Sequence, residues 1–280
     1  MKVQLGDHTT VWLGTSGFSY EDWVGNFYSE HSKPTDWLAS YAERMACVEL
    51  DVTFYRIPTK NMIDRWRAMT PDQFVFAAKF PQTVTHGGHV TSAYNSDSGK
   101  PKSQPKWLTM DQRIAEAEQF IAAMRGLKEK LGPLLLQFPY AFTPEHSEDL
   151  YALLEIMPDD LRIAVEFRNR RWCARGTYDM LTARNIPFTQ VDHPWMPKVD
   201  IRTGGFQYLR MLGDHKVLTE DFSHVKINRT QELNYWTNLL KTYAHESTDT
   251  LDIFVFFNNH FSGHAPTTLL EMKRMLEPKG

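Results

Sequence analysis

Short apolar runs alternate along this chain with stretches whose apolar residues recur every three or four positions. Runs of the first kind read as strands and those of the second kind as helices. Strands are predicted at residues 11–14, 48–52, 74–79, 133–138, 162–167, 188–192, 207–212 and 253–257. Several, such as LLLQF and IFVFF, are apolar almost throughout, as strands covered on both faces must be. Between them Leu38, Tyr41, Ala42 and Met45 share a helical face, as do Leu150, Leu153, Leu154 and Met157. The set Ile114, Ala117, Ile121, Met124 and the set Leu233, Trp236, Leu240, Tyr243 repeat the pattern. Thr143 before Pro144 reads as a helix start, and Asn228 with Gln231 as a variant capping box. Helix signal is weakest between the sixth and seventh strands.

Eight strands alternating with helices predict an α/β fold, a single (β/α)₈ TIM-type barrel over residues 1–280, with long loops at 18–33, 86–106 and 193–205. The alternative is an open doubly wound sheet, which would carry a glycine-rich phosphate turn after its first strand. GTSGF follows that strand here, but aromatic and acidic residues come next, so the barrel is preferred. The Gly-, Ser-, Pro- and Lys-rich loop at 86–106 would overhang the barrel mouth, as a lid or as a tolerated insertion.

Composition narrows the class. Hydrophobic residues at 42% supply a large core, and a net charge of −3 argues against a dedicated nucleic-acid backbone binder. The two cysteines, Cys47 and Cys173, have no metal or redox spacing and fit a reduced compartment. No stretch is long enough to span a bilayer and no secretory run opens the chain, so a cytoplasmic protein with no membrane partner is expected.

The polar residues within the apolar strands carry the functional signal. Glu49 and Asp51, Lys79, Gln137, Glu166 and Arg168, Asp192, Arg210, and Asn258 with Asn259 fall at the C-terminal ends of seven strands. An unpartnered buried charge is costly, so these groups must pair with one another or meet a ligand. In a barrel they converge on the face where barrel enzymes place their chemistry. A structural ion-pair network is the competing possibility.

These residues sit in GTSGFSYEDWVGNFY, VELDVTFYRIP, FAAKFPQTVTH, LLLQFP, AVEFRNRRW, VDHPW, YLRMLG and FFNN. Blocks of this kind, in this order, resemble domain-of-unknown-function family 72, the YecE-like family, from about Gly14 to about Ala265. The resemblance implies a barrel and supplies no activity, although the family has been loosely compared with sugar isomerases. Positions matching its polar pattern are Tyr20, Glu49, Thr53, Tyr55, Lys79, Thr85, His86, Gln137, Glu166, Arg168, Asp192, Arg210, Asn258 and Asn259. Asp51 stands where members usually have asparagine, Leu212 where a histidine is common, and Thr268 where asparagine is customary. The chain therefore resembles a divergent branch.

The expected chemistry is acid–base catalysis on a small polar or anionic ligand, sugar-like or phosphorylated. Glu166 is the candidate base if burial raises its pKa, and Lys79 the acid or electrostatic anchor, with Glu49 and Asp192 beside them. Arg168 and Arg210 would clamp a carboxylate or phosphate. Tyr20, Asp51, Tyr55, His86, Gln137, Asn258 and Asn259 would orient the ligand. A Schiff base on Lys79 is conceivable, although an ion pair is the commoner role for such a lysine. No cofactor is predicted; a divalent metal is the alternative, with His86, His89, His193 and His260 as loop donors. Two other classes stay open: a noncatalytic nucleotide- or RNA-binding module using the loop aromatics, and a metal-dependent phosphoesterase or nuclease. Nucleic acid is not the favoured partner, and nothing in the sequence sets the oligomeric state. Trp23 and Phe27 are expected to pin the first loop.

Overall fold

In a computed structural model, which describes residues 1–87 and 108–277, all eight predicted runs are parallel strands. They are β2 (Thr9–Ser16), β3 (Cys47–Leu50), β4 (Val75–Lys79), β5 (Leu131–Phe138), β6 (Ile163–Phe167), β7 (Gln190–Asp192), β8 (Phe206–Met211) and β9 (Leu251–Phe257). Hydrogen bonding runs β6-β5-β4-β3-β2-β9-β8-β7. The ring closes through Val165, whose N–H donates to the Pro187 carbonyl (3.0 Å) and whose carbonyl accepts from Thr189 N (2.7 Å).

An additional strand, β1 (Lys2–Leu5), lies antiparallel on β2, joined by a turn with Gly6 at φ +62°. Its alternation, KVQL with Val3 and Leu5 buried, is too short to stand out from the sequence alone. The helices are α1 (Trp37–Arg44), α2 (Lys60–Ala68), α3 (Gln82–Thr85), α4 (Met110–Met124), α5 (Ser147–Glu155), α6 (Arg175–Ala183), α7 (Thr230–Glu246), α8 (Asn259–Ser262) and α9 (Ala265–Leu276). No helix joins β7 to β8, where the sequence signal is weakest; Thr203 ties that connection back by bonding Phe188 N and the Ile186 carbonyl.

Thr143 caps a 3₁₀ turn at 144–146 that leads into α5, with His146 returning the hydrogen bond. The other predicted start shifts: Asn228 accepts from Thr230 N (2.9 Å), one residue ahead of the N-cap Arg229, so the Asn228–Gln231 box does not form. The predicted lid at 86–106 lies outside the described residues, apart from His86 and Gly87.

Because side chains alternate along a strand, two cores result. One set, including Leu13, Val48, Leu136, Val165, Met211 and Val255, packs against the helices. The other fills the barrel in tiers. Cys47, Ala77, Leu135, Ala164, Tyr208 and Phe256 pack together inside, with Phe206 and Phe254 below them. Two residues further along these strands stand Glu49, Lys79, Gln137, Glu166, Arg210 and Asn258. The apolar interior thus ends abruptly in a charged tier at the strand C-termini.

Candidate functional site

Arg210 is the centre of that tier. Nη1 donates to Glu166 Oε2 (2.7 Å) and Gln137 Oε1 (3.1 Å), and Nη2 to Glu49 Oε1 (2.8 Å). Tyr208, one tier down, donates to Glu49 Oε2 (2.7 Å). Arg168 stands two residues beyond Glu166 on the same face, and its Nε lies 2.5 Å from Glu166 Oε1. Side chains from four strands and one strand-end turn thereby meet in one buried network. Tyr208 is a member that strand-end inspection misses; sharing the face of Arg210 is the signal that finds it. Ser16, in register with Glu49, also enters this tier, and its buried Oγ has no hydrogen bond among the described residues.

Both inner carboxylates are held ionised. Burial opposes ionisation of Glu49, but Arg210 and Lys79 outweigh it; burial likewise opposes that of Glu166, and Arg210 and Arg168 outweigh it. Each carboxyl sits below its ordinary pKa range. The expectation of a Glu166 base with a raised pKa is therefore overturned: burial alone would raise it, but two guanidinium groups reverse the sign.

Lys79 stands apart. Among the described residues its amine makes no hydrogen bond and no ion pair within 4 Å. Its Nζ lies 5.4 Å from the Phe54 ring centre. Burial and then the Arg210 charge push its pKa below the lysine value, and Glu49, Asp51 and Glu166 only partly oppose them. Thr53 donates to the Lys79 carbonyl (2.7 Å) and also contacts the Leu50 carbonyl (3.1 Å). It thus ties the turn carrying Asp51 and Phe54 to the end of β4.

Around this floor stand the other predicted residues. Tyr20 donates to the Ser16 carbonyl (2.8 Å) and packs on Trp23, with ring centres 4.7 Å apart. Burial, then Asp51 and Glu49, raise its phenol pKa. Gly17, at φ +80°, borders Tyr20 and Asp51: a Cβ there would lie 3.0 Å from Tyr20 Oη and 3.1 Å from Asp51 Oδ2. His86 contacts Thr85 Oγ1 through Nδ1 (2.9 Å). Burial, followed by Arg168, Arg113 and Lys79, lowers its pKa to about 4. Tyr55 is 72% exposed, and Asn258 accepts from His260 N (3.0 Å) as the cap of α8.

Two expected members face elsewhere. Asp192 accepts from Trp236 Nε1 (2.7 Å) on α7 and pairs with Lys198 (3.0 Å). Val191, not Asp192, is in register with Arg210, so strand parity turns Asp192 outward. Asn259 is displaced by the same parity; its Oδ1 accepts from Trp23 Nε1 (3.2 Å) and Ala265 N (3.0 Å). Trp23 and Phe27 are buried and pin the first loop, and Trp172 is buried with its indole N–H on the Phe142 carbonyl (2.8 Å). In the basic RNRRW turn Arg171 pairs with Glu145. Leu212, where the resemblance leads one to expect histidine, packs with Val191 and Met196 in a small apolar cluster.

With Asp192 removed, Glu49, Asp51 and Glu166 face Lys79, Arg168 and Arg210, so the two signs balance. Among the described residues no three His, Cys, Asp or Glu side chains are grouped as a metal site requires. His193 accepts from Trp195 N (3.2 Å) and His260 meets the Leu218 carbonyl, two separate roles. No helix among the described residues is long and apolar enough to cross a membrane.

The sequence model of the family described as protein of unknown function DUF72 matches residues 12–280. The UPF0759 protein YecE of Escherichia coli K12 is 26% identical over 176 residues, a match that spans 63% of this chain and 55% of that protein. The UPF0759 protein YunF of Bacillus subtilis is 23% identical, with 95% of each chain covered. A crystal structure of a DUF72 family protein from Thermotoga maritima superposes with a TM-score of 0.71 at 29% identity, covering 96% of this chain and 99% of the other. One from Enterococcus faecalis, at 21% identity, shares the fold with a TM-score of 0.70, covering 98% and 99%. Matched along almost its whole length, this barrel with its charged inner tier belongs to the DUF72 family.

Proposed function

We propose that the protein is an enzyme that moves protons on a small polar, anionic substrate at the C-terminal mouth of its barrel. Lys79 is the proton-transfer group, and Arg168 holds the anionic end of the substrate. Glu49 and Glu166 are positioning residues, fixing the guanidinium of Arg210 beneath the ligand. The observation that carries this reading is Lys79, the charged side chain of the inner tier left without a hydrogen bond among the described residues. A half-buried lysine beside a guanidinium loses its proton more readily than one in solvent, which suits it to general acid–base work near neutral pH. The low His86 pKa, depressed by burial and then by Arg168, Arg113 and Lys79, reflects the same cationic surroundings and supports an anionic ligand.

A screen of phosphorylated sugars, hydroxy acids and keto acids tests the proposal. Lys79→Met is expected to abolish turnover, and Arg168→Gln to raise KM more than it lowers kcat. Absence of turnover together with absence of any ligand-induced thermal shift would sink it. A second reading, a nucleotide- or RNA-binding module, is favoured by the open rings of Tyr55 (72% exposed) and Trp195 (45%) on mouth loops, the latter beneath Lys216. That reading requires binding without turnover that weakens steeply with salt.

A further inference from the structure

The turn after β3 lies against Lys79 at both its backbone and its amine. Thr53 clamps the backbone at Lys79, Phe54 sets a ring 5.4 Å from Nζ, and Asp51 opens the turn. The Asp51 carboxylate makes no hydrogen bond or ion pair among the described residues, and it stands close enough to Lys79 to act on its charge. Arg210, Arg168 and Tyr208 already engage the oxygens of Glu49 and Glu166, which act on the amine through their charge and not by contact. What remains is the Lys79 nitrogen at the end of β4, with an apolar wall and a free carboxylate on the one short turn beside it.

We propose that Lys79 is a covalent nucleophile, condensing with the carbonyl carbon of a small hydroxylated or acidic aldehyde or ketone to form an imine, with Asp51 as proton relay. This rests on the mouth being a catalytic site. The Lys79 nitrogen lone pair forms the C–N bond while the carbonyl π pair moves to oxygen. Asp51 takes a proton from the attacking nitrogen and delivers it to that oxygen, giving a carbinolamine. The nitrogen lone pair then expels the hydroxyl, which leaves as water on taking, through Asp51, the proton that the Lys79 ammonium gave up to become the attacking amine. Lysine ammonium and carbonyl compound thus become protonated imine and water, with no oxidant or reductant. The protonated imine withdraws electrons from the adjacent carbon and makes its proton, or a neighbouring C–C bond, easier to break. The Phe54 wall suits such a step, because limiting water near the imine slows its hydrolysis.

The wild-type protein is incubated at pH 7 with dihydroxyacetone phosphate, glyceraldehyde 3-phosphate or pyruvate in the presence of sodium cyanoborohydride, and its peptides are weighed. Lys79 should acquire the reduced adduct at least about tenfold faster than the exposed Lys60 and Lys241 with one of the three probes. Asp51→Asn should slow labelling of Lys79 about tenfold and leave the two reference lysines unchanged. Labelling of Lys79 no faster than that of the reference lysines with all three probes overturns the proposal. The two readings fail separately. Turnover that depends on Lys79 but yields no adduct removes the covalent step alone, whereas neither turnover nor adduct removes both.

Discussion

Arg210 and Glu166 meet at 2.7 Å across the strand that separates them, both out of solvent. The pair is not isolated: the other Glu166 oxygen touches Arg168, and the second terminal nitrogen of Arg210 holds Glu49. Buried ion pairs add little net stability over apolar packing, because desolvation offsets their attraction. Their weight appears when one partner is removed.

Arg210→Met is therefore expected to cost about 3–5 kcal/mol, since it leaves Glu49 and Glu166 buried with fewer counter-charges. Urea denaturation at pH 7 measures the loss. The triple variant Glu49→Gln, Glu166→Gln, Arg210→Met should recover part of it, as the stranded charges are gone.

Acid should act in two stages. His86 and His264 have pKa values lowered to about 4, His264 by burial and then His224. Between the unfolded histidine value of about 6.5 and 4 the unfolded chain binds more protons, so stability falls as pH drops through that window. Glu49 and Glu166, depressed in the fold, contribute stability that is present above the unfolded carboxylate value and lost as pH falls below it. Denaturation midpoints from pH 7.5 to 3 should show both slopes. His86→Gln combined with His264→Gln should flatten only the first.

Lys79 carries the opposite sign. Its folded pKa is lower than its unfolded one, so the charged form costs stability at neutral pH, and the cost fades as pH rises toward the ordinary lysine value. Lys79→Met should raise the denaturation midpoint at pH 7, with a gain that shrinks by pH 10. A midpoint that falls instead would show that its attraction to Glu49, Asp51 and Glu166 prevails.

Asn259→Ala should destabilise by about 1–3 kcal/mol, because the Trp23 indole N–H and the Ala265 amide lose a buried acceptor. As a residue behind the mouth, it should leave KM for any substrate found nearly unchanged. Thermal unfolding and steady-state kinetics on one preparation check both parts.

The barrel was legible in the chain because burial on both faces leaves uninterrupted apolar runs, and helices that cover them keep a period near 3.6. The C-terminal position of Glu49, Lys79, Gln137, Glu166 and Arg210 was equally plain, since a charged or amide group that ends an apolar strand must reach a counter-charge, solvent or a ligand. Position at a strand end does not by itself tell which way Asp192 and Asn259 face; parity does, with Val191 beside Arg210 turning the first outward and Phe256 two residues before Asn258 the second.

Residue order thus dictated which side chains reach the rim of the barrel, because hydrophobic spacing is a local property written into the chain. Which of them pair is not local. Arg210 finds Glu49 across 161 positions and Glu166 across 44, and these partnerships depress the two carboxyls that burial alone would raise. Only the closing of the ring brings those charges within reach, and with them engaged it leaves Lys79 at the mouth, lower in proton affinity and without a hydrogen bond among the described residues.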